Sequence, residues 1–326
     1  MAELPRVESQ TVGAIYAAYE AEQRSEWFGN IGMSTFGTEC DRAIWLEWRR
    51  TFEQPRLQGN KLRLFETGHR EEARLIDDLR KAGVDVVDRD PDTDKQWKVT
   101  CVGGHLSGRL DGRALGVPEA PATWHVVELK THNEKSFKAL VKDGVAKSKP
   151  GHLAQMQFYM HRTGLQRALY LASTKNDEGL YAERITYDPA IALTLVARAE
   201  RIVRASRPPA KLHEDPTAKM AFACGWCPAR QVCHEGKFPR QHCRTCLHST
   251  PVVDDSDAAR WRCELHDVDL APEDQARGCS AHLFIPDLVP YEQIDVDERG
   301  LTVTYRKPDG SLWVDGGHAG EAPAHG

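Results

Sequence analysis

An aspartate, sixteen intervening residues and then a Glu-x-Lys triplet at the end of an apolar run constrain this chain more than any other feature. The two stretches are Gly108-Arg109-Leu110-Asp111 and His125-Val126-Val127-Glu128-Leu129-Lys130. Side chains alternate faces along a strand, so Glu128 and Lys130 share one face while Leu129 points to a core. Gly112 follows Asp111 and lets the backbone turn sharply at the end of its strand. Two carboxylates converging at a sheet edge suit Mg²⁺ or Mn²⁺, which take oxygen ligands. A lysine beside them suits phosphodiester chemistry, in which a cation offsets charge developing on the phosphate. The plainer alternative is a surface ion pair between Glu128 and Lys130 on an ordinary strand.

The rest of the chain supplies elements to hold such an edge. With 326 residues and 40% hydrophobic content, it can form one large domain with an appendage, or two domains. A helix is expected over 61–82, with Asn60 as cap, Gly83 as stop, and Leu64, Phe65, Leu75, Ile76 and Leu79 on an apolar face. Glu72 interrupts that face, either as a ligand aimed into a site or as a boundary residue reaching solvent. Strands are expected at 84–87, at 96–102 and 105–111 as a hairpin pair, and at 125–131. The segment 135–149, with Lys135, Lys138, Lys142, Lys147 and Lys149, reads as a basic loop. It is either a solvated face or a phosphate-binding track, and Lys175 is a further candidate for phosphate contact. Pro150 opens a helix that Gly164 closes. Strands at 168–174 and 180–187 and a helix at 189–205 complete an α/β order, a mixed sheet flanked by helices. A final hairpin is expected around Pro308-Asp309-Gly310, followed by a disordered tail at 316–326.

No run of 18 apolar residues is present, which excludes a membrane-spanning helix. The opening Met-Ala-Glu-Leu-Pro-Arg lacks the apolar segment of a signal peptide, so a soluble, cytoplasmic protein is expected. The net charge of −5 conceals an asymmetry. Residues 251–299 carry 13 Asp and Glu against 4 Lys and Arg, which leaves residues 1–250 mildly basic.

Nine cysteines, an odd number, argue against a disulfide framework and for metal. Cys224-x2-Cys227-x5-Cys233 offers three thiolates in one short loop, with Cys40 as the unassigned fourth. Spacing leaves zinc and an iron–sulfur cluster both open there. Cys243-x2-Cys246, Cys263 and Cys279 form a second set with zinc-ribbon spacing, where His242, His248, His266 or His282 could substitute. Cys101 is left over and reads as a buried thiol in a strand.

Taken in order, Gly108-Arg109-Leu110-Asp111, Glu128-Leu129-Lys130 and Gln155-x3-Tyr159 resemble the PD-(D/E)XK nuclease superfamily. The nearest likeness is its RecB/AddB-like iron–sulfur branch, which includes CRISPR-associated adaptation nucleases, together with phage exonucleases of the lambda type. The likeness spans about residues 34–233. It implies a restriction-endonuclease-like sheet in which Asp111 and Glu128 bind Mg²⁺ or Mn²⁺ and Lys130 assists the water. Gln155 and Tyr159 would share one helical face; alone, they could equally be the polar rim of an amphipathic helix. Gly68-His69-Arg70-Glu71-Glu72 matches the upstream motif of that family, with Glu72 or His69 as a further metal ligand. The likeness also implies a 4Fe–4S staple at Cys40, Cys224, Cys227 and Cys233. The expected organisation is a nuclease domain at 1–240, a four-cysteine zinc module at 241–290, a hairpin at 291–315 and the tail. The expected activity is Mg²⁺- or Mn²⁺-dependent exonuclease action on single-stranded DNA or duplex ends, in recombination, repair or phage DNA processing. A single-strand annealing protein or other recombination protein would be its partner. Two alternatives are a CRISPR adaptation nuclease trimming spacer precursors and a non-catalytic DNA-binding scaffold with a nuclease fold.

Overall fold

The computed structural model describes residues 9–23 and 29–316. In chain order these form α1 (Gln10–Ala21), β1 (Ile31–Gly32), α2 (Asp41–Trp48), α3 (Gly59–Lys81), β2 (Asp85–Val87), β3 (Lys98–Cys101), β4 (Leu106–Arg109), β5 (Gly112–Leu115), β6 (His125–His132), α4 (Glu134–Ser148), α5 (Pro150–Thr163), β7 (Arg167–Thr174), β8 (Leu180–Thr186) and α6 (Pro189–Arg204). Two short helices follow, α7 (Phe222–Gly225) and α8 (Arg230–His234). Then come β9 (Ser249–Pro251), β10 (Trp261–Cys263), β11 (Val268–Leu270), α9 (Pro272–Arg277), β12 (Glu292–Asp297), β13 (Thr302–Arg306) and β14 (Leu312–Gly316). The chain is mixed α/β. It divides into two compact units, one of residues 1–26, 55–97 and 109–187, the other of 27–54, 98–108 and 188–326.

The first unit is built on a five-stranded sheet of order β2-β5-β6-β7-β8. Only β6 and β7 run parallel; the other pairs are antiparallel. The parallel pair is buried along most of its length, as a strand covered on both faces must be, which accounts for the apolar runs in both. Val127, Leu129, Leu169 and Leu171 pack with Leu75 and Ile76 of α3 and with Val84, Val86, Ala114 and Val117 in one core. The expected apolar face of α3 is only half realised. Leu64 and Phe65 are exposed, because only the later part of the helix, from Leu75, reaches the sheet core. The earlier part packs against α1.

Residues 134–148 are helical, not the loop expected from their lysine content. The i,i+4 pairs Lys138–Glu134 and Lys147–Asp143 favour the helix, and Asn133 caps it by accepting from Ser136 N. Gly144, at φ +70°, kinks it, and Glu183 accepts from the freed Val145 N at 2.8 Å. Pro150 opens α5, and Gly164, at φ +75°, ends it by donating to Met160 O. These are the stop and start signals expected from the residue types.

The second unit holds α2, α6, a β1-β4-β3 sheet, a β11-β10-β9 sheet and a terminal β12-β13-β14 sheet. The expected C-terminal hairpin is thus a three-stranded meander. Its core, Phe238, Leu283, Phe284, Val289, Val303 and Tyr305, is walled by Tyr291 and Trp313. The expected tail lies, from residue 317, outside the described residues. Among the described residues no helix is long and apolar enough to cross a membrane.

Candidate active site

Asp111 sits between β4 and β5, one residue before the strand that pairs with β6. Its Oδ2 accepts from Leu129 N at 2.7 Å, which fixes the carboxylate against the Glu-Leu-Lys triplet. Glu128 is buried to 1% exposure and Lys130 is partly exposed. Lys130 Nζ lies 2.6 Å from Glu128 Oε1 and 3.7 Å from Asp111 Oδ2, and donates to Leu129 O at 3.0 Å. The surface-ion-pair alternative does not describe this arrangement, because the carboxylate of the pair is inside.

The electrostatics follow from that burial. Desolvation raises the Glu128 carboxyl, the Lys130 ammonium opposes the shift, and the Asp111 charge adds to it. Burial alone would lower Lys130, but the charges of Glu128 and Asp111 outweigh it and hold the ammonium above its ordinary value. Glu72, on α3, is half-buried; desolvation raises it, then the charge of Asp111, with Lys130 and His69 opposing. Glu72 therefore belongs to the same charge cluster, and His69 stands exposed on the same helix. Tyr159, on α5, is buried and raised well above the ordinary phenol range by burial, then by Glu128 and Asp111. Gln155 and the backbone at Arg109 lie near the Tyr159 hydroxyl and oppose the shift. Tyr159 lies within range of the Glu128 and Asp111 charges, and Gln155, half-buried, lies one turn before it.

Of the lysines, Lys138 and Lys147 are engaged in helical ion pairs and Lys149 Nζ donates to Ser136 Oγ at 2.8 Å. Lys135, Lys142 and Lys175 are exposed. The structure also gathers residues that the motif left out. His132 lies two positions beyond Lys130, Tyr170 pairs with Glu128 across the parallel ladder, and His152 is one turn ahead of Gln155. The spacing of His132 and His152 relative to the motif was the available signal.

Among the described residues no three His, Cys, Asp or Glu side chains close into a set of metal ligands. Observations still bear on the fit. Asp111 and Glu128 offer carboxylate oxygens, the donors that a divalent cation takes, around Lys130 Nζ. The four cysteines of the first set lie in the second unit. Burial raises the Cys227 thiol, and Cys40, Cys233 and Cys224 each add to the shift, so the four are neighbours. Cys40, Cys224 and Cys227 line a mainly apolar cavity of about 360 Å³. Cys243, Cys246, Cys263 and Cys279 line a cavity of about 10 Å³, with His248, His266 and His282 also in its wall. Cys101 is half-buried at the end of β3.

The sequence matches no family model and no curated protein. Among solved structures, the fold is similar to an alkaline exonuclease from Laribacter hongkongensis, with TM-score 0.40 and 15% identity over 58% of this chain and 90% of that one. The same exonuclease in complex with dAMP gives TM-score 0.38 and 16% identity over the same shares. The protein SSO0001 gives TM-score 0.40 and 13% identity over 70% of this chain and 98% of that one. Likenesses this slight define neither a family nor a function.

Proposed function

We propose that this chain is a Mg²⁺- or Mn²⁺-dependent DNA exonuclease of the PD-(D/E)XK type. The observation that carries the reading is the convergence of Asp111 and Glu128 on one lysine, with Glu72 within range of their charge. Carboxylate oxygens gathered at one sheet edge are the ligands that a hard divalent cation takes. Asp111 and Glu128 would hold the ion, with Glu72 or His69 completing the shell. The ion, when bound, supplies Lewis-acid activation of the phosphodiester. Lys130, held charged by its carboxylates, offsets negative charge on the reacting phosphate. Tyr159, held neutral by burial, stays a hydrogen-bond donor, and Gln155 orients it.

The two cysteine sets are read as different metal sites on the spacing of their cysteines. Cys243-x2-Cys246, Cys263 and Cys279 have the spacing of a zinc ribbon and line one small void, so they are assigned to zinc. Cys40 is distant in sequence from Cys224, Cys227 and Cys233 but within range of their charge, so these four are assigned to 4Fe–4S. Both are structural in this reading, since hydrolysis transfers no electrons. Exposed Lys135, Lys142 and Lys175 would contact DNA phosphates, and a recombination protein would be the partner. The deciding experiment is degradation of 5′- and 3′-labelled single- and double-stranded DNA with Mg²⁺ or Mn²⁺. Wild type should shorten the strands from an end, and Asp111→Ala should not. Equal activity in the variant overturns the assignment.

A further inference from the structure

A line of hydrogen bonds runs beside the charge cluster and uses side chains to which the nuclease reading gives no role. Lys149 Nζ donates to Ser136 Oγ at 2.8 Å, and Ser136 Oγ lies 3.2 Å from His132 Nδ1. His132 Nε2 lies 2.9 Å from the Tyr170 hydroxyl, and that hydroxyl lies 2.9 Å from His152 Nδ1. The line joins the end of β6 and the middle of β7 to the first turns of α4 and α5.

One direction gives every proton along the line an acceptor within it. An ammonium only donates, so Ser136 Oγ accepts from Lys149. The one proton of Ser136 then has His132 Nδ1 as its acceptor, which leaves the His132 proton on Nε2. That proton goes to the Tyr170 oxygen, and the Tyr170 proton goes on to His152 Nδ1. A neutral His152 accepting at Nδ1 carries its own proton at Nε2. The opposite direction would leave the Ser136 proton without an acceptor in the set. Both imidazoles are neutral at ordinary pH, since burial, followed by nearby lysines, pushes His132 down to about 4 and burial, then Lys130, pushes His152 down to about 3.

His152 is also placed to matter. It precedes Gln155 by three residues and Tyr159 by seven, so the three form one stripe on α5. The charge of Lys130 is felt at its ring.

We propose that His152 presents its Nε2–H as a neutral hydrogen-bond donor to a phosphate oxygen of the DNA backbone at the Lys130 site. Tyr170, His132, Ser136 and Lys149 are positioning residues that hold it in that tautomer. The inference rests on the nuclease reading for the identity of the ligand, but not for the tautomer. A donor fixed in this way reaches the anionic oxygen without reorganising and adds no positive charge to the lysine already there.

Two measurements on the full chain test it. Imidazole ¹⁵N spectra at neutral pH should show His152 protonated at Nε2 alone, and Tyr170→Phe should mix its tautomers. Protonation at Nδ1 in the wild type overturns the relay. Affinity for single-stranded DNA with Ca²⁺, and cleavage with Mg²⁺ or Mn²⁺, are then compared across variants. His152→Ala should lose on the order of 10²-fold in turnover, as for removal of one preorganised donor, and should weaken DNA binding. His152→Gln, which keeps a donor and guards against a folding defect, should recover part of both. Tyr170→Phe should lower turnover with KM little changed. Wild-type KM, turnover and DNA affinity in His152→Ala reject the contact. A wild type that binds DNA through His152 but cleaves none with any divalent ion rejects the nuclease reading and keeps the contact.

Discussion

Asp111 Oδ2 accepts the backbone N–H of Leu129 at 2.7 Å, so the first carboxylate of the site is bonded to the main chain of the strand that carries the second. The same oxygen stands 3.7 Å from Lys130 Nζ. Asp111 therefore has a structural role and an electrostatic one, and the two can be separated. Asp111→Asn keeps an acceptor for Leu129 N and removes the charge. It should abolish metal-dependent DNA cleavage while its unfolding free energy stays within about 1 kcal/mol of wild type. Asp111→Ala removes both and leaves the Leu129 N–H without its acceptor, at a further cost of about 1–3 kcal/mol. Denaturant titration beside a cleavage assay reads the two effects. Equal stability of the two variants would show that the Leu129 bond contributes nothing.

Lysines of similar sequence context should differ in their effect on DNA. Lys135, Lys142 and Lys175 are exposed, whereas Lys138 and Lys147 are held in ion pairs. Replacing each of the first three by Ala should reduce the slope of log affinity against log salt by about 1 if that lysine neutralises a phosphate. Lys138→Ala and Lys147→Ala should reduce it less. A uniform response across all five would mean that the helical ion pairs do not restrain these side chains.

The two cysteine sets should separate by metal analysis. As purified under anaerobic conditions, the protein should carry about four irons and about one zinc per chain. Cys227→Ser should lose the iron and keep the zinc, and Cys246→Ser the reverse. Two zincs and no iron would contradict the iron–sulfur assignment.

Asp315 gives a pH dependence whose sign is fixed by burial. Desolvation raises its carboxyl to about 6, although Phe284 N and Gly316 N donate to it. Because the folded value lies above the unfolded one, stability is greatest while both states are protonated and falls as pH rises from about 4 to 6. Two units at 1.36 kcal/mol each set a ceiling of about 3 kcal/mol on the loss. Asp315→Asn mimics the protonated form, so wild type should lose stability relative to it across that window and hold a constant difference above it. Hydrogen exchange at Phe284 N reports the local effect. A difference that does not change with pH would place the group in contact with water.

Gly59 opens α3 where α1 crosses it, and a Cβ built there would lie 2.5 Å from the Tyr16 backbone. Gly59→Ala should destabilise by about 1–3 kcal/mol, the usual cost of overpacking. It should also expose α1 to limited proteolysis before the rest of the chain. Wild-type melting and proteolysis would mean that α1 moves aside without penalty.

Much of the first unit was legible because its signals are local. Pro150 and Gly164 bracket a helix through their own backbone preferences, and the apolar run 125–131 marks a buried strand. The lysines at 135–149 misled because charge reads as solvent exposure whether the backbone is helix or loop. Only the i,i+4 partners Glu134 and Asp143 distinguish the two. Leu64 and Phe65 misled in the opposite sense. A helical stripe shows that a face is apolar, not how far along the helix the sheet extends.

The sequence by itself determined which residues can carry chemistry. Carboxylate, amine and thiol are properties of side chains, and alternation along β6 puts Glu128 and Lys130 on one face whatever surrounds them. Only the tertiary structure decided their environment. Residues far apart in the chain, Glu72, Asp111, Lys130 and Tyr159, come within range of one another's charge when α3 and α5 pack on the sheet. Burial then keeps Glu128 from water and so raises it. The line from Lys149 to His152 was legible only there, because each of its hydrogen bonds depends on a distance between elements that no local preference sets.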